Sequence, residues 1–520
     1  MSRRHIIWIA GMLACTLAGA WAQDSSTPPT EAPSQSGQPD QQEPVPAYGQ
    51  QGSAAINSEN PPLSGLDLPS LEPHAAPLSY LQPGATFSES AITNGANSLG
   101  GGTNFSSITR GLGSVTLRRL WSNYDLAMDY MGGAGYYKIP GQGWTLLQQM
   151  DVEQRINWKR GNLSLRDSFS YLPEGNFGAA YGSLGSTGIS SLGETPFSSF
   201  FGGAQLGTLG LAPRIMNLSL ADISETLTPK SAITAAGGYA LTHFYGSDTT
   251  VGTSFIGTSQ VSAQAGYNRV LTSHTQMALV YGYQAFDFSV YGAAFHSHVI
   301  QGMYGHRISG RMDLLLGAGP QLTLIDTQTA VCSNSLIPLL YCTSFGGTLD
   351  TAVNKQTLLG VAARGRLRYQ LTKTMLDLDY QRFETAGSGI FAGAQTNIIR
   401  LSANRPISRA WRGFVDIGYS RNDRLQPLTP EQVMQCAQHQ SGAPAAICPA
   451  NDAASYSYGF AGLGMRRHFG RAFDAFMTYQ FNELSFDQSY CVNSSVCNRI
   501  SNQNVITFGL DWTPRPIRLD

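Results

Sequence analysis

Charged side chains are scarce in this chain. They make up 13% of its 520 residues, about half the usual share of a soluble domain. An excess of either sign is missing too: 33 Lys and Arg stand against 34 Asp and Glu, a formal net charge of −1, which excludes long-range attraction to nucleic acid or anionic lipid. Past the N-terminus no apolar run approaches the roughly 18 residues a membrane-crossing helix needs, and no long amphipathic helical period occurs. Catalytic signatures are absent as well. GxSxG, HExxH, GxxxxGK[ST] and metal-spaced Cys/His sets do not occur, so no nucleophile elbow, zinc helix or phosphate loop is recognisable. The expectation is a protein that is not an enzyme and takes no cofactor and no metal. A triad assembled only in space would escape such a search, which keeps an outer-membrane hydrolase as an alternative.

What the chain does contain is glycine (57 residues), aromatics (10%) and hydrophobic residues (42%). Low charge with abundant Gly, Ser, Thr, Tyr and Phe fits a strand-rich protein with one unwetted face. The N-terminus has the form of an export signal. Arg3 and Arg4 supply positive charge, Ile6 to Leu17 an apolar core, and Ala20-Trp21-Ala22 a small-x-small cleavage site. The domain reading is therefore residues 1–22 as signal peptide, with the mature chain from Gln23. Lipidation at Cys15 is the competing reading, poorly served by Met12 and Leu13. Residues 23–79 are rich in Pro, Gln and Ser (Pro28-Pro29, Pro44-Val45-Pro46, Pro61-Pro62). Such a segment cannot bury enough apolar area to offset its ordering entropy. It reads as a disordered periplasmic linker ahead of a barrel domain over 80–520.

Seven cysteines occur. Cys15 lies in the signal segment. The rest fall as near neighbours: Cys332 with Cys342, Cys436 with Cys448, Cys491 with Cys497. Three local disulfides are the simplest arrangement and imply an oxidising compartment.

From about residue 112 onward, strand-like segments are joined alternately by short turns and long polar connections. Short turns stand at Ser122-Asn123, Arg160-Gly161, Pro229-Lys230, Ser273-His274, Ser309-Gly310, Thr372-Lys373, Arg409-Ala410 and Gly470-Arg471. Long connections stand near 132–143, 173–213, 246–254, 326–353, 385–395, 423–453 and 487–502. All three cysteine pairs fall in the long class. Counting hairpins predicts sixteen strands, plus a final one at 503–513. A further strand near 80–93 makes eighteen.

The segments alternate in polarity. In 357–371, Leu359, Val361, Ala363, Gly365, Leu367 and Tyr369 share one side, and Arg364, Arg366 and Arg368 the other. On the returning strand Leu376, Leu378 and Tyr380 oppose Asp377 and Asp379. A two-residue turn at Thr372-Lys373 sets Arg368 across from Asp377 and Arg366 across from Asp379, a favourable pairing. An Arg facing lipid at the midplane costs about 2–4 kcal/mol. A one-residue slip would expose three of them, so these arginines must face a polar lumen. The same alternation recurs. Met150, Val152, Ile156 and Trp158 oppose Asp151, Glu153 and Arg155. Met216, Leu218 and Leu220 oppose Asn217, Ser219 and Ala221, with the first set read as the apolar face. Met477 and Tyr479 oppose Thr478 and Gln480, and Phe508, Leu510 and Trp512 oppose Thr507 and Asp511. Trp121, Trp158, Trp411 and Trp512 lie beside short turns or at the last strand's end, where a girdle of amphipathic rings would meet a membrane interface. His296 and His298 share one strand face and read as polar residues on a wetted surface, not as a metal site.

These features, over about 110–513, make the chain resemble bacterial outer-membrane porin-like barrels. The resemblance implies an all-β, transmembrane, antiparallel up-and-down barrel of about 16–18 strands in the bacterial outer membrane. Its partners would be outer-membrane lipid, the barrel-assembly machinery and small polar solutes; nucleic acid is excluded, and a homo-oligomer is possible. Such barrels usually end on a terminal aromatic residue. Here Thr513–Asp520 follow Trp512. The expected function is passive or semi-selective passage of small polar solutes. Arg364, Arg366, Arg368, Asp377, Asp379, Asp151, Glu153 and Arg155 would line the pore, and Phe197, Phe200 and Phe201 of the 173–213 connection would pin a constriction. A surface adhesin or assembly scaffold without transport, and a soluble secreted β-protein, are the competing readings.

Overall fold

The structure is a computed structural model and describes residues 79–93, 105–138, 143–172, 214–245, 256–272, 274–288, 293–332, 349–385, 391–426, 454–470, 472–487 and 499–519. The signal and linker segments and the 173–213 connection with Phe197, Phe200 and Phe201 lie outside these residues. So do Cys342, Cys436, Cys448, Cys491 and Cys497, and of Cys332 only the backbone is described.

Eighteen long strands and one two-residue strand make up the described chain. They are β1 Tyr80–Thr93, β2 Phe105–Leu120, β3 Tyr124–Tyr137, β4 Trp144–Trp158, β5 Gly161–Leu172, β6 Arg214–Thr228, β7 Ser231–Phe244, β8 Thr258–Thr272, β9 Thr275–Phe288, β10 Ala293–Ser309, β11 Met312–Cys332, β12 Leu349–Gln370, β13 Met375–Thr385, β14 Ala394–Pro406, β15 Trp411–Arg424, β16 Ser455–Phe469, β17 Phe473–Asp487, β18 Arg499–Trp512 and β19 Ile517–Arg518. Each long strand pairs antiparallel with the next, and β1 pairs with β18 from Ala85↔Trp512 to Ile92↔Val505, which closes the ring. The even count of eighteen is thus realised, with the strand at 80–93 as β1. Closure pairs the sheet edges with each other, the only way a sheet can sit in hydrocarbon without orphaned backbone groups.

The eighteen long strands run from 11 to 22 residues. That exceeds the 5–6 residues typical of soluble sheets and meets the about 9–11 a tilted membrane strand needs. Every short turn expected from sequence joins two of these strands. In one, Leu371 N–H donates to Thr374 O at 2.8 Å. In another Gly470 takes φ 66°, a left-handed conformation that glycine adopts without a Cβ penalty. Several long connections prove shorter than the sequence suggested. β3 runs to Tyr137, β11 to Cys332, and β12 starts at Leu349, because paired strands extend past the apolar band that marks them in sequence.

One face of the ring is apolar and exposed: Phe87, Val115, Leu146, Leu165, Ile223, Leu279, Ile300, Leu359, Ile399, Leu463 and Phe508 all point out. The opposite face carries Thr86, Ser88, Arg110, Glu153, Arg166, Gln284, Ser297, Gln321, Asp416, Asn482 and Asp511, all buried. A soluble protein hides its apolar row and wets its polar one. This inversion is what a bilayer solvent selects.

The expected face of β6 is overturned. Leu220 points inward beside Asp222 and Ser224, while Ile223 is exposed. Asn217, Ser219 and Ala221 therefore share the outer face. Arg214 and Asp222 have the same parity as Leu220 and are themselves buried. Two charges facing lipid would cost more than two leucines and a methionine gain there, so the charges set the register.

Candidate functional site

The inward face is the candidate site, and its charges come paired. On the β2–β6 side, Arg118 Nη2 reaches Asp129 at 2.8 Å. Glu153 receives Arg155 at 3.2 Å and Arg166 at 3.6 Å. Arg166 also lies 3.4 Å from Asp222. Gln149 Nε2 donates to Asp151 at 3.0 Å. On the β10–β18 side, Arg307 pairs with Asp313 at 3.1 Å. Arg366 reaches Asp377 at 2.6 Å and Asp379 at 3.4 Å, and Arg368 lies 3.7 Å from Asp377. Arg400 pairs with Asp416, and Arg466 with Asp511 and Asp474. The inward residues of β7 to β9 are neutral, with Thr234, Ser262, Gln264, Gln276 and Gln284 buried among them. The polar lining is thus charged over two arcs and neutral between them.

All eight sequence-derived lining residues stand on inward-facing positions, but not together. Asp151, Glu153 and Arg155 lie on β4; Arg364, Arg366, Arg368, Asp377 and Asp379 lie on β12 and β13, eight or nine strands away round an eighteen-strand ring. The register of the second group is the one expected, Arg366↔Asp379 and Arg368↔Asp377. Arg118–Asp129, Arg166–Asp222 and Arg400–Asp416 were not visible in sequence. Each joins single charges on neighbouring strands, and no local charge repeat announces them.

Trp121, Trp158, Trp411 and Trp512 all lie at the short-turn end with outward parity. Trp158 Nε1 donates to Glu225 at 2.6 Å. Arg119 lies 5.1 Å over Trp121 and Arg467 5.1 Å over Trp411. His296 and His298 face outward too, contrary to the wetted face expected for them. Tyr283 pairs with His296 at 3.0 Å and Tyr281 with His298 at 2.9 Å. The outer face also holds Asp167, which accepts from Ser219 Oγ at 2.6 Å and Asn217 Nδ2 at 3.2 Å.

The main feature that sequence reasoning missed is an inward fold of the β13–β14 hairpin. Pairing of β12 with β13 stops at Ala363↔Arg382, while β13 and β14 stay paired to Thr385↔Ala394. Above that point the hairpin leaves the wall. Thr323, on the inner face of β11, donates to Glu384. A Cβ built on Gly393 would lie 3.1 Å from Phe295 of β10 and 3.2 Å from Leu425. In the wall, β10 and β14 are four strands apart, roughly 19 Å at the usual strand spacing. Contact at that range requires the 391–394 segment to cross the inner face of β11 and β12. There Ala392 packs with Phe286, Phe288, Phe295, Ile325 and Leu425. Phe391 meets Tyr456 of β16 at a 5.3 Å ring separation. An apolar bridge therefore lies across the inner wall from β10 to β16 at the long-connection end. The only sequence signal was the position of 385–395 among the long connections.

Among the described residues no group of three or more His, Cys, Asp or Glu could hold a metal ion.

No family model matches the chain, and no curated protein matches it. Solved structures of similar outline include the open form of the ferric-catecholate import receptor Fiu of E. coli K12, at 8% identity and TM-score 0.41, covering 83% of this chain and 81% of that one. The outer membrane protein opdK of Pseudomonas aeruginosa aligns at 9% identity and TM-score 0.37, over 83% of this chain and 98% of that one. OprD of the same organism aligns at 9% identity and TM-score 0.36, over 84% and 95%. Likenesses this distant carry no argument about function. The chain's own geometry is sufficient for its class: eighteen antiparallel strands closed without an edge, apolar outside and polar inside, are the architecture of a porin-like bacterial outer-membrane barrel.

Proposed function

We propose that this barrel is an outer-membrane channel for small polar solutes, narrowed at its long-connection end by the inward β13–β14 hairpin. The observation that carries the proposal is the concentration of polar and charged side chains on the inward face of a barrel of a size that can enclose an aqueous path. An adhesin or scaffold barrel has no use for such a lining beyond stiffening its wall. The balance of Arg against Asp and Glu round the lining argues for weak ion selectivity. Burial of most of that lining argues for low conductance at rest.

On this reading residues 1–22 direct export and are removed, 23–79 form a periplasmic linker, and the short turns face the periplasm. The three cysteine pairs close disulfides in external loops, and Phe197, Phe200 and Phe201 add a second constriction. The barrel-assembly machinery inserts the chain, and the tryptophan girdle marks the inner lipid boundary. The deciding experiment is liposome swelling with sugars and amino acids of graded size, using the purified full chain. Entry of the smallest solutes and exclusion of larger ones is expected. Swelling no faster than in empty liposomes, for the wild type and for a Phe391→Ala variant alike, would leave the scaffold reading in its place.

A further inference from the structure

We propose that Glu384 forms part of a binding site for a compact monovalent cation on the inner wall, beneath the β13–β14 hairpin. Glu384 is 3% exposed. Its Oε1 accepts from Thr323 Oγ1, and its Oε2 is buried with no hydrogen-bond partner. The neutral hydroxyl of Ser297 and the amide of Gln321 lie beside the same carboxyl group. Gln321 is fully buried. Its Nε2 donates to Ser297 Oγ at 2.9 Å, which leaves its Oε1 buried and unpartnered as well.

The cluster is therefore rich in oxygen acceptors and holds one negative charge. Elsewhere on the lining, buried carboxylates such as Glu153, Asp377 and Asp416 each have an arginine. Glu384 has no such ion pair among the described residues. A buried carboxylate without a counter-charge is costly, and neutral donors do not cancel its charge. Carboxylate, amide and hydroxyl oxygens suit hard cations rather than transition metals. One formal charge is too little for the usual divalent calcium cage, which takes several carboxylates. The fitting occupant carries a single positive charge: an alkali metal ion, or the primary ammonium group of a solute. The inner wall of β10 and β11 supplies the neutral oxygens, and the hairpin supplies the charge, so a bound cation would tie the two together.

A protonated Glu384 would need no cation, and Glu384→Gln imitates that state. The test uses the full chain in detergent, with unfolding midpoints read by heat-modifiable gel migration. Sodium, potassium or ethylammonium chloride is titrated against choline chloride at constant ionic strength. The wild-type midpoint should rise with at least one small cation. Sodium or potassium alone identifies a metal ion, and ethylammonium alone a solute ammonium. Glu384→Gln should weaken the apparent affinity about tenfold or more, as loss of a charge-assisted contact does, and Gln321→Leu should weaken it less. A flat wild-type response, or a Glu384→Gln barrel that responds as the wild type does, overturns the site. Conductance plays no part in this reading, so an impermeable barrel would sink the channel proposal and leave this one standing.

Discussion

Arg366 makes its shortest ion pair diagonally, 2.6 Å to Asp377, although the residue opposite it in register is Asp379, at 3.4 Å. Asp377 thus serves two guanidiniums, Arg366 and Arg368. Removing it takes a carboxylate from both and leaves Arg366 its longer contact with Asp379. Asp377→Ala is expected to cost about 1–3 kcal/mol, and Asp379→Ala distinctly less. Urea unfolding of the two variants in lipid vesicles checks the order, and equal losses would show that the diagonal contact has no special weight.

Gly393 takes φ 86°, a conformation that residues with a Cβ resist, and that Cβ would press on Phe295 and Leu425. Gly393→Val should cost about 1–3 kcal/mol at this segment and loosen the apolar bridge. Single-channel conductance in planar bilayers should rise several-fold above wild type. Traces indistinguishable from wild type would mean that the bridge does not limit flow.

Asp167 sits on the lipid-facing side of β5, between Leu165 and Phe169, held by Ser219 and Asn217 of β6. Ser219→Ala removes the 2.6 Å donor and leaves a carboxylate facing hydrocarbon, at an expected loss of about 1 kcal/mol. Asp167→Leu removes the carboxylate and should leave stability equal or higher. The opposite order, measured by unfolding in vesicles, would point to a structural use of that charge on the outer wall.

The chain beyond Trp512 rejoins the wall. β19 pairs with Tyr80 and Leu81, Gln82 Nε2 donates to Pro514 O at 3.0 Å, and Leu519 N–H donates to Ser79 O at 3.0 Å. Ending the chain at Thr513 keeps the Ala85–Ile92 pairing with β18 intact. The shortened barrel should still fold and show heat-modifiable migration, with a slightly lower midpoint. Failure to fold would make these last residues part of the closure itself rather than an extension of it.

The alternation in 148–159, 357–384, 473–482 and 505–512 was sufficient to orient those strands, because most charged and apolar residues there keep opposite parity, with Phe476 and Val505 among the exceptions. In β6 the reading failed. Met216, Leu218 and Leu220 carry more apolar weight than Asn217, Ser219 and Ala221, yet Arg214 and Asp222 at the segment's margins decide the face. Polar residues on the outer face, such as Ser219 and Asn217, are tolerated because each donates to Asp167.

The sequence by itself determined that this is a strand protein with one row of side chains turned to lipid and the other to water. Period-two alternation is a property of each strand alone, and the transfer cost of charge into hydrocarbon acts residue by residue. Only the tertiary structure decided which inward charges meet, that Glu384 lies against Thr323, and that the 391–394 segment lies over the inner wall against Phe295 and Tyr456. Those contacts join strands far apart in sequence, and they depend on ring closure and on a hairpin leaving the wall, neither of which any local pattern encodes.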